Sequence, residues 1–134
     1  MSIEHVRLTK QAKDQLIRLK RRTGILNWNV LCRWAFCVSL AEPTPPPPMK
    51  KLPEGAVDMT WKVFAGTYHE IYLALLKERC KRDGHEINDE VLATQLRLHL
   101  YRGINYLIAD RSGKGITSLL KRLPMAPNLT ETGL

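Results

Sequence analysis

The sequence predicts a mainly α-helical protein, with an N-terminal unit of one short strand and two helices and a helical C-terminal part containing one short extended segment. A short alternating stretch precedes the first helical period, a run of prolines interrupts the chain, and helical periods resume beyond it. The predicted units are residues 1–42, a proline-rich connector at 43–55, a helical part at 56–123 that packs on the first unit, and a loose tail at 124–134.

The N-terminal unit begins with the sequence HVRLT, residues 5–9, in which polar and apolar residues alternate. This period of two is typical of a half-buried strand. Thr9 can cap a helix over residues 10–22, and Gly24 can end it.

The first helix has an apolar side and a basic side. At 100° per residue, Ala12, Leu16 and Leu19 fall together on the apolar side. The basic side carries Lys10, Lys13, Lys20 and Arg21. Either a solvated surface or a DNA-facing one explains these charges, and Ile17 in their midst suggests a contact with a partner.

The second predicted helix starts after Asn27 or Asn29, ends at Glu42, and includes the nearly all-apolar sequence VLCRWAFCVSLA. Such a helix must be covered on every side, which one helix and one strand cannot do. We therefore expect an oligomer with this helix in or near the subunit interface.

Beyond the stiff prolines 45–48, residues 57–63 alternate in polarity and predict an extended segment. Thr67 and Glu70 have the spacing of a capping box for a helix that closes at Gly84.

Asn88 or Asp89 is expected to start a longer helix that runs to about residue 109, and a short helix is predicted at 116–123. The longer helix has an apolar stripe made by Leu92, Leu96, Leu100 and Leu107.

The C-terminal part carries its own basic residues. Dipole stabilisation and a second phosphate-binding patch both account for Lys77, Arg79, Lys81 and Arg82, which crowd one helix end. Arg97, Arg102 and Arg111 are expected on the outer faces or at the exit of the longer helix. The sequence RSGKG at 111–115 lacks the spacing of a nucleotide-binding P-loop and predicts a basic loop.

Composition favours a binding protein over an enzyme. The 134 residues carry a formal charge of +8, which predicts attraction to nucleic acid. Without an apolar span or a signal peptide, a cytoplasmic protein with no membrane contact is expected. The three cysteines and four histidines show no metal or catalytic spacing, so we expect no cofactor, and Cys32 and Cys37 are interpreted as buried small apolar residues.

The order strand, basic helix, apolar helix is that of a ribbon-helix-helix unit, in which two chains pair their strands and place the ribbon in the DNA major groove. On this interpretation His5, Arg7 and Thr9 face the base edges, while Lys10 and Lys13 lie near phosphates.

Four sequences together resemble the DndE family of the bacterial DNA phosphorothioation system. They are RLTKQAKDQLIRLKRRTG, NVLCRWAFCVSL, ALLKER and LHLYRGINYL, and the resemblance covers most of residues 6–108. It implies a machinery that replaces a non-bridging phosphate oxygen of DNA with sulfur. The chemistry then belongs to a cysteine desulfurase, an iron–sulfur ATP-using enzyme and a large ATPase. The DndE-like member is implied to be a non-catalytic homotetramer that prefers nicked duplex DNA.

The sequence therefore predicts a protein that binds double-stranded DNA mainly through backbone phosphates. The predicted contacts are Arg7, Lys10, Lys13, Lys20, Arg21 and Arg22. Two alternatives stay open: a ribbon-helix-helix repressor or antitoxin, and a scaffold for the sulfur-transfer enzymes.

Overall fold

The computed structural model describes residues 3–49 and 57–110, and the predicted class is confirmed: short strand first, then helices. The elements in chain order are β1 (His5–Leu8), α1 (Lys10–Thr23), α2 (Trp28–Ala41), β2 (Val57–Thr60), α3 (Trp61–Ala65), a 3-10 turn (Gly66–Tyr68), α4 (His69–Arg82) and α5 (Asp89–Ala109). The predicted basic loop at 111–115, the short helix at 116–123 and the tail lie outside the described residues.

Strand β1 pairs with β2 of the same chain. The two strands are antiparallel, with His5 opposite Thr60 and Leu8 opposite Val57. Val6 and Leu8 are buried, as the alternation predicts. A ribbon-helix-helix dimer would take the partner strand from a second chain, whereas here the ribbon is closed within one chain.

Helix α1 has the predicted caps and the predicted buried side. The Thr9 hydroxyl accepts the Ala12 N–H at 3.1 Å, and Gly24 adopts the left-handed conformation with φ 76°. Leu16 and Leu19 are buried and dock the helix on the core. Its opposite side is thereby fixed toward solvent.

Helix α2 is covered by its own chain. It packs most extensively on α5 and also on α3 and α1. Leu31, Ala35 and Phe36 are fully buried as a result. Helices beyond the prolines therefore supply cover that the first helix and the strand could not, and an oligomer with α2 in or near the subunit interface stays a prediction.

The segment after the connector changes structure at Thr60. Residues 57–60 form β2, as expected, but the Thr60 hydroxyl accepts the Val63 N–H at 3.1 Å and starts α3 instead of continuing the strand. The prediction of a capping box at Thr67 and Glu70 was wrong. Thr67 lies in the 3-10 turn, and α4 follows Tyr68 without a side-chain cap.

The last two helices have the predicted ends. Helix α4 ends at Arg82, where Gly84 adopts φ 87° and the His85 N–H reaches the Cys80 carbonyl at 2.9 Å. The Asn88 side chain caps α5 by accepting the Val91 N–H at 2.9 Å. The predicted apolar stripe of α5 is buried along its whole length.

The tightest approach in the fold lies between α2 and α5. A Cβ atom placed on Gly103 would stand 1.8 Å from the Ala35 carbonyl oxygen. Only glycine therefore lets the two backbones meet at this point. Around the contact, Phe36 and Phe64 pack edge to face, with ring centroids 6.1 Å apart.

No helix in the described part of the chain combines the length and apolar character needed to cross a membrane.

Substituting Gly103→Ala should therefore separate α2 from α5 and destabilise the protein by about 3 kcal/mol or more. Gly24→Ala is the matched control. Its Cβ meets nothing within 4 Å, so only the positive φ is penalised, at about 1 kcal/mol. Urea unfolding of both variants checks the difference, and equal losses of stability would contradict the close-contact explanation.

Candidate nucleic-acid interface

Helix α1 carries six lysines and arginines but one acidic residue, Asp14. Lys10, Arg18 and Arg21 are exposed, and Lys13 is half-buried. On a helical wheel these four side chains share one arc that points away from the buried leucines. We name Lys10, Lys13, Arg18 and Arg21 the basic face. Ile17 lies within it and is half-buried.

Arg18 belongs to this face although it is not among the predicted DNA contacts. Its exposure follows from its angular position, about 80° from Lys10, so the helical wheel contained the signal.

Lys20 and Arg22 have partners inside the chain. The Lys20 ammonium lies 5.5 Å from the centroid of the Trp28 ring, a cation–π distance. The Arg22 guanidinium donates to the Ile108 carbonyl at 2.9 Å and lies within 3.5 Å of the Leu107 and Asp110 carbonyls. Arg22 thus caps the end of α5, where a cation is favourable. Both residues are less available for phosphate than the basic face.

The residues of β1 and its end that were expected to contact base edges also have partners within the chain. His5 and Arg7 lie 3.1 Å and 3.9 Å from the carboxylate of Asp58 on β2. Thr9 is buried and caps α1, so the expectation that it faces base edges was wrong. Arg7, with 64% of its side chain exposed, can still reach a phosphate.

The proposed second patch at the end of α4 is smaller than predicted. Lys81 and Arg82 are exposed and Lys77 is half-buried. Arg79 is 4% exposed, and its Nε donates to both carboxylate oxygens of Asp83 at 3.2 Å. The i, i+4 spacing of Arg79 and Asp83 could have identified this pair from the sequence.

Arg79 also anchors the start of the connector. Its guanidinium donates to the carbonyls of Leu40, Glu42 and Thr44, at 2.9, 2.5 and 2.7 Å. Five N–H donors in a planar fork suit such a cluster of acceptors. Arg79 is consequently a structural residue, not a phosphate ligand.

Arg102 is the second buried arginine, and its expected place on an outer face was wrong. It donates to the Thr44 carbonyl at 2.8 Å and to both the hydroxyl and the carbonyl of Ser39. The Ser39 Oγ, which accepts from Arg102, lies 2.8 Å from His99 Nδ1. The two arginines together hold the chain where it leaves α2.

The cysteine thiols are held in their neutral form. Burial raises the pKa of Cys32 to about 12 and that of Cys80 to about 11, and it also raises the pKa of the Cys37 thiol. A protonated thiol is a poor nucleophile and a poor metal ligand. Across residues 3–49 and 57–110, no three His, Cys, Asp or Glu side chains come together as a potential metal site.

The sequence model of the family described as "DNA sulphur modification protein DndE" matches residues 5–114. The chain belongs to the DndE family. A crystal structure of DndE from Escherichia coli B7A, described as involved in DNA phosphorothioation modification, is similar to this chain, with a TM-score of 0.65 and 27% identity. The similarity covers 80% of this chain and 99% of that one. A comparison with curated proteins finds no match.

Membership of the DndE family implies a role in DNA phosphorothioation, together with other Dnd proteins and DNA. It points to an accessory protein of the modification system. The structure shows which basic side chains of this DndE-family chain face solvent and which are bonded within the fold.

Replacing Arg79 by Met should cost about 3–5 kcal/mol of folding free energy, because it leaves the Leu40 and Glu42 carbonyls and the Asp83 carboxylate without their donor, while the Thr44 carbonyl keeps only Arg102. Arg82→Met removes the same charge from an exposed position of the same helix and should change stability by less than about 0.5 kcal/mol. Chemical unfolding compares the two. Similar losses would show that charge, not the buried hydrogen bonds, matters at position 79.

His99 should make stability depend on pH. Burial first, then the charges of Arg102 and Arg79, lower its pKa to about 4, while Asp83 opposes them and His85 adds a smaller lowering effect. The unfolded state, with a pKa near 6.5, therefore binds the proton more tightly. Stability is complete above about pH 6.5 and falls by about 3 kcal/mol as the pH drops to 4.

The measurement is urea unfolding at pH 7 and pH 4.5 for the wild type and His99→Gln. The carboxylates of the chain lower the stability of both proteins equally on acidification. The variant should therefore lose less stability than the wild type between pH 7 and pH 4.5, even if it is less stable at pH 7. An identical loss in both proteins would exclude His99 as the titrating group.

Proposed function

We propose that this DndE-family chain is a non-catalytic component of the phosphorothioation machinery that binds duplex DNA through backbone phosphates. The observation that carries the proposal is the basic face of α1, which the buried Leu16 and Leu19 hold toward solvent. Neutralising phosphates releases counterions, so such a surface binds DNA without reading its sequence.

Backbone contact is favoured over base reading because of what the ribbon side chains already do. His5 and Arg7 approach Asp58, and Thr9 is buried. A repressor that reads an operator would need these groups free to meet base edges. The basic face, whose side chains point to solvent, is better suited to phosphates.

A homotetramer would present several basic faces to one duplex, and weak phosphate contacts would add through avidity. A nick makes the duplex easier to bend, which lowers the cost of following a protein surface. We therefore propose a preference for nicked DNA. The protonated thiols support leaving the sulfur chemistry to the cysteine desulfurase, the iron–sulfur ATP-using enzyme and the ATPase.

The test is a fluorescence-anisotropy titration of intact and nicked duplexes at several salt concentrations. Lys13→Ala/Arg21→Ala should weaken binding to every duplex by about tenfold or more and reduce the salt slope by about 2, because two phosphate contacts are lost. The matched control Lys81→Ala/Arg82→Ala also removes two positive charges, both from exposed positions at the end of α4.

The control should stay within about twofold of the wild type. Equal weakening by both double variants would indicate that overall charge, and not the basic face, governs binding. Loss on one sequence alone would mean base reading. A wild type that fails to bind at low salt would favour the scaffold.

A further inference from the structure

The proline-rich connector begins with a segment whose backbone conformation is dictated by its sequence. Residues 44–47 each precede a proline, and residues 45–48 are prolines, whose rings fix the φ angle. The two restrictions together select the polyproline II conformation. Glu42, which precedes Pro43, already has φ −79° and ψ 120°, in the region expected before a proline. We name residues 44–48 the proline ridge.

The fold holds both ends of the proline ridge. At its start, the Thr44 carbonyl accepts from the guanidinium groups of Arg79 at 2.7 Å and Arg102 at 2.8 Å. Just beyond its other end, Met49 lines a cavity together with Tyr101 of α5. The ridge is therefore ordered before a partner binds, which lowers the entropy cost of binding.

The ridge turns one of its edges inward and two outward. A polyproline II helix has three residues per turn, so residues three apart share an edge. Pro46 is buried, and its edge therefore faces the fold. The other two edges carry the exposed residues, which pair as Thr44 with Pro47 and Pro45 with Pro48.

This arrangement suits the grooves that recognise proline-rich segments. Such grooves are lined by aromatic rings and bind P-x-x-P sequences, and a ligand with three edges can place two of them in a groove while the third points away. Pro45 and Pro48 have the P-x-x-P spacing on an outward edge. Because the fold contacts the ridge through Pro46, a partner can bind the opposite side of the same segment.

We propose that the proline ridge is a docking site for a partner protein that has a groove of parallel aromatic side chains. The aromatic rings pack on the pyrrolidine rings of Pro45 and Pro48, and donors of the groove bond to carbonyls of the ridge. Lys10 lines the same cavity as Met49, so a cationic residue lies at the C-terminal end of the ridge. An acidic side chain of the partner at that end fixes the direction of binding.

The chemistry of the ridge favours this occupant over DNA or an added β-strand. Prolines 45–48 have no backbone N–H, so they can neither donate to a phosphate nor pair with a strand as donors. They offer ring surface and carbonyl acceptors, which are the two features that an aromatic groove binds. Docking at the ridge does not require DNA binding by the basic face.

The experiment titrates the unlabelled chain into two isotope-labelled probes, an SH3 domain that binds P-x-x-P peptides and a WW domain that binds polyproline, and follows each by NMR. The wild type should shift resonances of the aromatic groove of at least one probe. Pro45→Ala and Pro48→Ala, made singly, should each weaken this binding by about fivefold or more, because each removes an outward ring.

Pro43→Ala is the matched control, since it removes an exposed proline that lies outside the ridge. It should bind within about twofold of the wild type. Circular dichroism checks that every variant is folded. Shifts in neither probe, or equal weakening by the control, would overturn the docking site and make the ridge a spacer only.

Two further measurements separate the partner protein from other occupants. Pro45→Ala removes no charge, so its affinity for duplex DNA should stay within about twofold of the wild type in the anisotropy titration. A larger loss would place the ridge against DNA and overturn the proposal. A change in the molar mass of the chain on Pro45→Ala, measured by light scattering, would mean that a second copy covers the ridge and would also overturn it.

Discussion

The close approach of α2 and α5 at Gly103 is the constraint on which the rest of the structure depends. The Ala35 carbonyl lies where any side chain at position 103 would have to be placed. Because the two backbones meet there, α5 covers the apolar helix α2, which would be unstable if it were exposed to water. The N-terminal strand and helices thus need the helices beyond the prolines, and the core extends across both.

This packing decides which surfaces remain free. With α2 buried inside the chain, the exposed surface includes the basic side of α1 and the apolar residues Ile71 and Leu75 of α4. The first surface is basic and the second is apolar with charges at its ends. The proposed function uses the first of these surfaces, because a polyanion is attracted to a basic one.

Burial separates arginines that look alike in the sequence. Arg79 and Arg82 lie three residues apart on α4, yet one is 4% exposed and bonded to the chain leaving α2, while the other is exposed. A buried guanidinium is stable only when nearly all its N–H donors are hydrogen-bonded. Arg79 and Arg102 use theirs within the fold and are not available to bind DNA phosphates. The net charge of the chain therefore overstates the charge available to phosphates.

Local sequence determined the mainly helical class, the caps Thr9, Gly24 and Asn88, and the buried stripes of α1 and α5, because caps and helical periodicity depend on neighbours within a few residues. The basic face followed from the same periodicity, which also placed Arg18 on it. Tertiary structure alone decided that β1 pairs with β2, that α5 covers α2, that Arg79 and Arg102 are buried, and that Arg22 bonds the end of α5. Those outcomes join residues from about 35 to 90 positions apart, and short-range patterns do not specify which distant surface or carbonyl a side chain will meet.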